Sequence, residues 1–245
     1  MATIRILAVV LATLWSATAA AQTADEIVEK HLTALGGREA LGRLRTRVST
    51  GTVTLTTAVG PVSGTIEASA KVPNRSRVLI KLDLTALGAG EIVNDQRFDG
   101  TTGYVIDTFN GDRDITGPQL ESMRNNAFPT AWVDYKARGF SIALTGKEAI
   151  GGRTAFVLEV MPKTGPVTRA WIDAETLMLV KTTSKAEAPG LGEIEQVTEF
   201  SDYRTVDGVK VPFQVKSINP AQTVTAVLKE VRHNVELDDA SFAKP

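Results

Sequence analysis

The sequence predicts an α+β fold in which one large curved antiparallel sheet wraps around an N-terminal helix and a helical lid. Three observations carry this. Near the start of the chain apolar residues repeat at helical spacing. From Val48 onward the period falls to two, and turn signals separate the alternating runs at short intervals. One later stretch, Thr116 to Arg138, returns to a spacing of three to five and interrupts the strands.

Taken in order, the chain opens with MATIRILAVVLATLWSATAAAQ, in which Arg5 precedes an apolar run from Ile6 to Trp15 and small residues end at Ala19-Ala20-Ala21. This pattern predicts a secretory signal peptide over residues 1–21, too short in its apolar part to span a bilayer and cleaved before Gln22. The mature chain, residues 22–245, is expected to form a single β-rich domain, since no linker, low-complexity tract or repeat divides it. It carries no cysteine, hence no disulfide, no thiol nucleophile and no lipid-anchoring residue. The expectation is therefore an exported, periplasmic, soluble protein without an integral membrane segment. A formal net charge of −1 and the absence of a basic stripe argue against a nucleic-acid partner.

A helix is predicted from Ala24 to Leu35, with Ile27, Val28, Leu32 and Leu35 on one face, Thr23 as its N-cap and Glu26 completing a capping box. Gly36-Gly37 stops it, and a shorter helix is expected from Arg38 to Leu44. The clearest strand is Val62 to Val72, where apolar and small residues alternate with Ser63, Thr65, Glu67, Ser69 and Lys71. The same alternation recurs at Val78 to Leu84, Phe156 to Val160, Val209 to Val215 and Val224 to Leu228. Pro73-Asn74, Asp99-Gly100, Asn110-Gly111, Gly151-Gly152 and Asp207-Gly208 mark turns between strands, and such short connections require antiparallel neighbours. Within Thr116 to Arg138, the positions of Leu120, Met123, Ala127, Phe128, Trp132 and Tyr135 predict two short helices broken at Pro129.

Phe98-Asp99-Gly100-Thr101-Thr102-Gly103-Tyr104, Ala170-Trp171-Ile172-Asp173-Ala174-Glu175-Thr176-Leu177, Phe200-Ser201-Asp202-Tyr203 and Asp207-Gly208-Val209-Lys210-Val211-Pro212 resemble segments of the bacterial outer-membrane lipoprotein-sorting protein family. The run Leu35-Gly36-Gly37-Arg38-Glu39-Ala40-Leu41 resembles the start of many of its secreted members. The resemblance covers nearly the whole mature chain by order of elements. It implies a LolA/LolB-like half-open β-barrel whose apolar concave face is covered by helices and holds acyl chains of lipids or lipoproteins. Carriers of that kind have an inner-strand arginine bonded to the lid, for which Arg45, Arg47, Arg75 and Arg77 all stand near possible strands.

Catalytic groups are sparse. The only histidines, His31 and His233, stand far apart in the chain, and no nucleophile elbow or metalloprotease motif is present. Asp107, Asn110, Asp112 and Asp114 could offer oxygens to calcium, but their spacing departs from an EF-hand and suits a hairpin tip. No catalytic role, cofactor or metal is expected. The apolar constellation carries more: Met123, Phe128, Trp132 and Tyr135 can face Val78, Ile80, Leu82, Tyr104, Ile106, Phe156 and Leu158 on the sheet. Filled to ordinary density these residues make a core; left apart they line a hydrophobic cavity for an acyl chain. The sequence thus suggests a carrier or sensor of an apolar ligand, with envelope transport partners if it delivers cargo. The competing reading is a non-catalytic envelope interaction module with a solid core.

Overall fold

The computed structural model describes residues 22–58, 60–85, 88–188 and 192–245. The expected leader, residues 1–21, lies outside them. Two helices come first, α1 (Ala24–Ala34) and α2 (Gly37–Gly42). The capping box forms as the sequence requires, with Thr23 Oγ1 accepting from the Glu26 backbone and the Glu26 carboxylate accepting from the Thr23 N–H. Six strands follow: β1 (Thr46–Thr57), β2 (Gly60–Lys71), β3 (Arg75–Asp83), β4 (Glu91–Phe98), β5 (Gly103–Asp107) and β6 (Arg113–Ile115). After α3 (Gly117–Asn125) come β7 (Ser141–Ile150), β8 (Arg153–Met161), β9 (Thr168–Asp173), β10 (Leu179–Ala188), β11 (Gly192–Val206), β12 (Val209–Ile218) and β13 (Thr223–His233). A short 3₁₀ turn, Asp239–Phe242, closes the chain.

All these strands belong to one antiparallel 13-stranded sheet in the order β6-β5-β4-β3-β2-β1-β13-β12-β11-β10-β9-β8-β7. Each half is a meander, and the halves join where β1 pairs β13. The edges β6 and β7 do not pair, so the barrel stays open, and residues 116–140 carry the chain from one edge to the other.

The curvature follows from what α3 touches. Met123 Sδ lies 3.3 Å from where a Cβ on Gly103 of β5 would stand, while Glu121 accepts from Thr164 Oγ1 at 2.7 Å in the β8–β9 loop. In a flat sheet those strands would stand more than about 40 Å apart at about 4.8 Å per step. A nine-residue helix is only about 13 Å long. The sheet must therefore curl around it.

Cross-strand partners share a face, so the register identifies the concave side. It carries Val53 of β1, Ile66 of β2, Ile80 of β3, Phe98 of β4, Val105 of β5, Ala226 of β13, Phe200 of β11, Ala170 and Ile172 of β9, and Phe156 and Leu158 of β8. The main core lies where Ile27, Val28 and Leu32 of α1 meet Phe156, Leu158, Ala170 and Ile172, all buried.

Asp99, Asp107 and Asp173 hold their turns by one device. Asp99 accepts from the backbone of Thr101 and Thr102, Asp107 from Phe109 and Asn110, and Asp173 from Glu175 and Thr176, each bond between 2.7 and 3.1 Å. Asp107 is thereby committed to its hairpin tip, and no cluster of three or more metal-ligating side chains occurs among the described residues.

The expected pair of helices in the excursion is half right. α3 forms, but residues 131–139 are a series of turns. Asp134 takes a positive φ of 52°, and Gly139 one of 81°, which a continuous helix does not allow.

Candidate functional site

The covering segment 116–140 is fastened around its perimeter. Arg124 donates to Thr101 O at 3.0 Å in the β4–β5 turn, Asn125 Nδ2 to Thr164 O at 2.7 Å, and the Phe128 N–H to Pro73 O at 2.9 Å in the β2–β3 turn. On the α1 side, Tyr135 OH and Lys136 Nζ both donate to Asp25, and Arg38 bridges Glu29 and Asp134. The bonds from Lys136 and Tyr135 hold the Asp25 carboxyl below its ordinary range. Burial, followed by the bond to Asp25, pushes the Tyr135 phenol up to about 12.

Space remains beneath this cover. A cavity of about 500 Å³ lies between Ser122, Asn125, Thr130 and Trp132 of the lid and Phe140, Val160, Ala170, Leu179, Thr182, Thr198 and Phe200 on or beside the concave sheet. A smaller one of about 150 Å³ continues inward toward α1, α2 and the centre of the sheet, sharing Thr130, Trp132, Leu179 and Phe200 with the first. At the other end an open groove of about 830 Å³, lined by Pro118, Glu121, Val167, Ile194 and neighbours, shares Pro166 and Ser184 with the 500 Å³ cavity. Aliphatic and aromatic walls alternate here with threonine, serine and asparagine.

The small cavity gathers the unusual polar groups. Arg47 projects from β1 beneath the lid, its guanidinium carbon 5.5 Å from the centroid of the Phe128 ring. No hydrogen bond or carboxylate partner reaches it among the described residues, and burial holds its pKa below the ordinary value. His31 of α1 bonds through Nδ1 to Leu177 O at 2.7 Å and packs against Trp132, ring centroids 5.1 Å apart. His233 lies opposite Arg47 in the β1–β13 register, with Nδ1 3.0 Å from Asp207 Oδ2. Burial lowers the pKa of both histidines; for His233 the Asp207 bond works against this and the Arg47 charge adds to it.

The eleven residues expected to line a cavity fall into four groups. Trp132 lines both interior cavities. Phe128, Tyr135, Phe156 and Leu158 are buried in the main core, packed with α1 and the lid. Met123 caps Gly103, and Val78, Ile80 and Leu82 lie on the concave face of β3, away from these cavities. Tyr104 and Ile106 are a correction. They pair with Arg97 and Asp95, on the face opposite Ile80, and Lys244 covers the Tyr104 ring at 4.4 Å. Their neighbour Val105 takes the concave position and is fully buried.

Sequence reasoning left the inner arginine open among four. The structure places Arg47 on the concave face beneath the lid, while Arg77 binds Asp95 and Arg75 binds Asp239 on the convex side. It also brings together His31 and His233, which chain distance had separated.

No protein-family model matches the chain, and no curated protein matches it in sequence. Among solved structures, a DUF1329 family protein from Desulfovibrio piger superposes with a TM-score of 0.57 at 16% identity, covering 89% of this chain and 96% of the other. An outer membrane lipoprotein-sorting protein domain from Vibrio parahaemolyticus gives 0.56 at 13% identity, covering 89% and 94%. A LolA superfamily protein from Nitrosomonas europaea gives 0.57 at 12% identity, covering 91% and 99%. Identities this low speak to the fold alone.

Proposed function

Starting from a LolA-like fold, we propose that the protein is a periplasmic carrier or sensor that holds an acyl chain of a lipid or lipoprotein between the concave sheet and the lid. The observation that carries this reading is the 500 Å³ cavity walled by Trp132, Phe140, Val160, Leu179 and Phe200. Burying about ten methylenes at about 0.8 kcal/mol each gives about 8 kcal/mol before ordering costs. That corresponds to micromolar binding at best. Export is supported by the opening Arg5, the Ile6 to Trp15 run and the Ala19-Ala20-Ala21 end. Among the described residues no helix is long and apolar enough to cross a membrane.

Native mass spectrometry of protein exported by a bacterial host tests the reading. Co-purifying lipid adducts are expected, together with a rise in Tm when palmitate is added to delipidated protein. A Trp132→Asp variant that keeps the wild-type circular dichroism should lose the adduct and bind palmitate at least tenfold more weakly. An adduct-free mass combined with no thermal protection overturns the proposal.

A further inference from the structure

Two groups with unused hydrogen-bonding capacity stand opposite each other where β1 pairs β13. His233 Nε2 is a buried side-chain atom without a hydrogen-bond partner, alone in this among the described residues. Its side chain is 1% exposed and its other nitrogen is committed to Asp207. Arg47, its direct cross-strand partner, offers five N–H donors that no acceptor among the described residues takes up. Both line the 150 Å³ cavity, whose volume far exceeds the roughly 10–15 Å³ a single water needs.

The charge around that cavity has one sign. Arg47 and Lys210 line it, with His31 and His233, and no carboxylate among the described residues does. Asp207 bonds His233 through Nδ1, on the far side of the ring from Nε2, and is not a lining residue of the cavity. The Phe128 ring gives Arg47 a quadrupole contact but leaves the in-plane N–H groups unspent. A guanidinium fork beside a free imidazole nitrogen matches an oxyanion: the fork donates in bidentate fashion, and Nε2 meets an acidic O–H as acceptor or, protonated, donates a further bond.

We infer that Arg47 and His233 form an anion site that holds the acidic head group of the ligand, a carboxylate or a phosphate monoester, at the inner end of the trough. This deepens the carrier reading and rests on it. The direction of the ligand follows from the shared walls: the head group occupies the small cavity, and the tail runs past Trp132, Leu179 and Phe200 into the large one. A neutral ester or alcohol of the same chain length leaves the fork unpaired and is discriminated against.

Titration of delipidated full-length mature protein with palmitate, hexadecyl phosphate and hexadecanol, followed by Trp fluorescence and native mass spectrometry, tests this. Both anions should bind at least tenfold more tightly than the alcohol, and their relative affinities separate a fatty-acid source from a phospholipid one. Arg47→Gln should weaken both anions tenfold or more and leave the alcohol unchanged. His233→Gln provides a second, milder variant, with a smaller loss in the same direction. Because Arg47 makes no bond that the fold depends on, Arg47→Gln should keep or raise the Tm. Equal affinities for alcohol and anions in the wild type, or anion binding unmoved by Arg47→Gln, overturn the anion site and leave the carrier reading intact. Failure of all three ligands to bind overturns both.

Discussion

A buried imidazole couples the stability of a fold to pH, and His31 is 3% exposed. Burial lowers its pKa, with the Leu177 carbonyl partly opposing the shift, so the folded ring stays neutral below the pH at which the unfolded ring takes up a proton. The unfolded state therefore binds more protons as pH falls below about 6.5, and stability declines there by up to about 1.4 kcal/mol per pH unit. His233 is shifted the same way and adds to the slope. The carboxyls of Asp95, Asp107 and Asp173, held below their ordinary range, add to the loss only below about pH 4. Thermal melts between pH 7 and 5 should show a falling Tm in the wild type and a flatter line in His31→Leu, whatever the starting Tm of the variant; parallel lines would refute the assignment. At this scale the sequence was partly legible. Trp132 is found in the cavity because a bulky residue on an amphipathic cover faces inward. Tyr104 and Ile106 were misplaced because Tyr104-Val105-Ile106 is apolar throughout, and such a run fits either strand phase equally well. The meeting of His31 with His233 and Arg47 depends on β1 pairing β13, a contact between chain ends that no local pattern encodes.

At the scale of elements, the joint between α1 and α2 shows what a glycine signal did and did not convey. Gly36-Gly37 was readable as a helix stop. The tighter reason is tertiary: Gly36 has φ of 129°, and a Cβ there would stand 2.3 Å from Gly208 O. The joint is docked on the β11–β12 turn, where the Lys210 N–H donates to Leu35 O at 2.8 Å. Gly36→Ala should therefore cost at least about 2 kcal/mol through strain and displaced backbone. Urea unfolding would measure it, and Gly37→Ala, which meets no atom within 4 Å but has φ of 86°, should cost less. Strands β2, β3, β8, β12 and β13 were legible by their period, and α3 by its spacing. The turns of residues 131–139 were not, because their shape comes from contacts: Arg38 on Asp134, Asp25 on Tyr135 and Lys136, and Arg138 donating to Asn125 O at 2.7 Å.

On the scale of the whole molecule, the C-terminal segment acts as a strap across the convex face. Phe242 is 1% exposed, Asp239 pairs with Lys71 and Arg75 at 2.7 and 2.9 Å, and Lys244 pairs with Asp114 at 2.9 Å. Arg97 donates to Ala243 O at 3.3 Å and shares the buried Asp95 with Arg77. Phe242→Ala should lower the unfolding free energy by about 3 to 5 kcal/mol. Retained palmitate binding in that variant below its Tm would show that the strap serves the fold and not the cavity; a loss of less than about 1 kcal/mol would contradict the burial. The overall architecture was readable because short connections force antiparallel neighbours, whereas the strap carries no periodic signal. The unpaired margins β6 and β7 have a mechanical consequence. The roof is sewn to both of them, so it has no loose hem to lift. What stays open instead is the groove that meets the cavity at Pro166 and Ser184, so a cross-link tying the two margins together would leave that doorway clear.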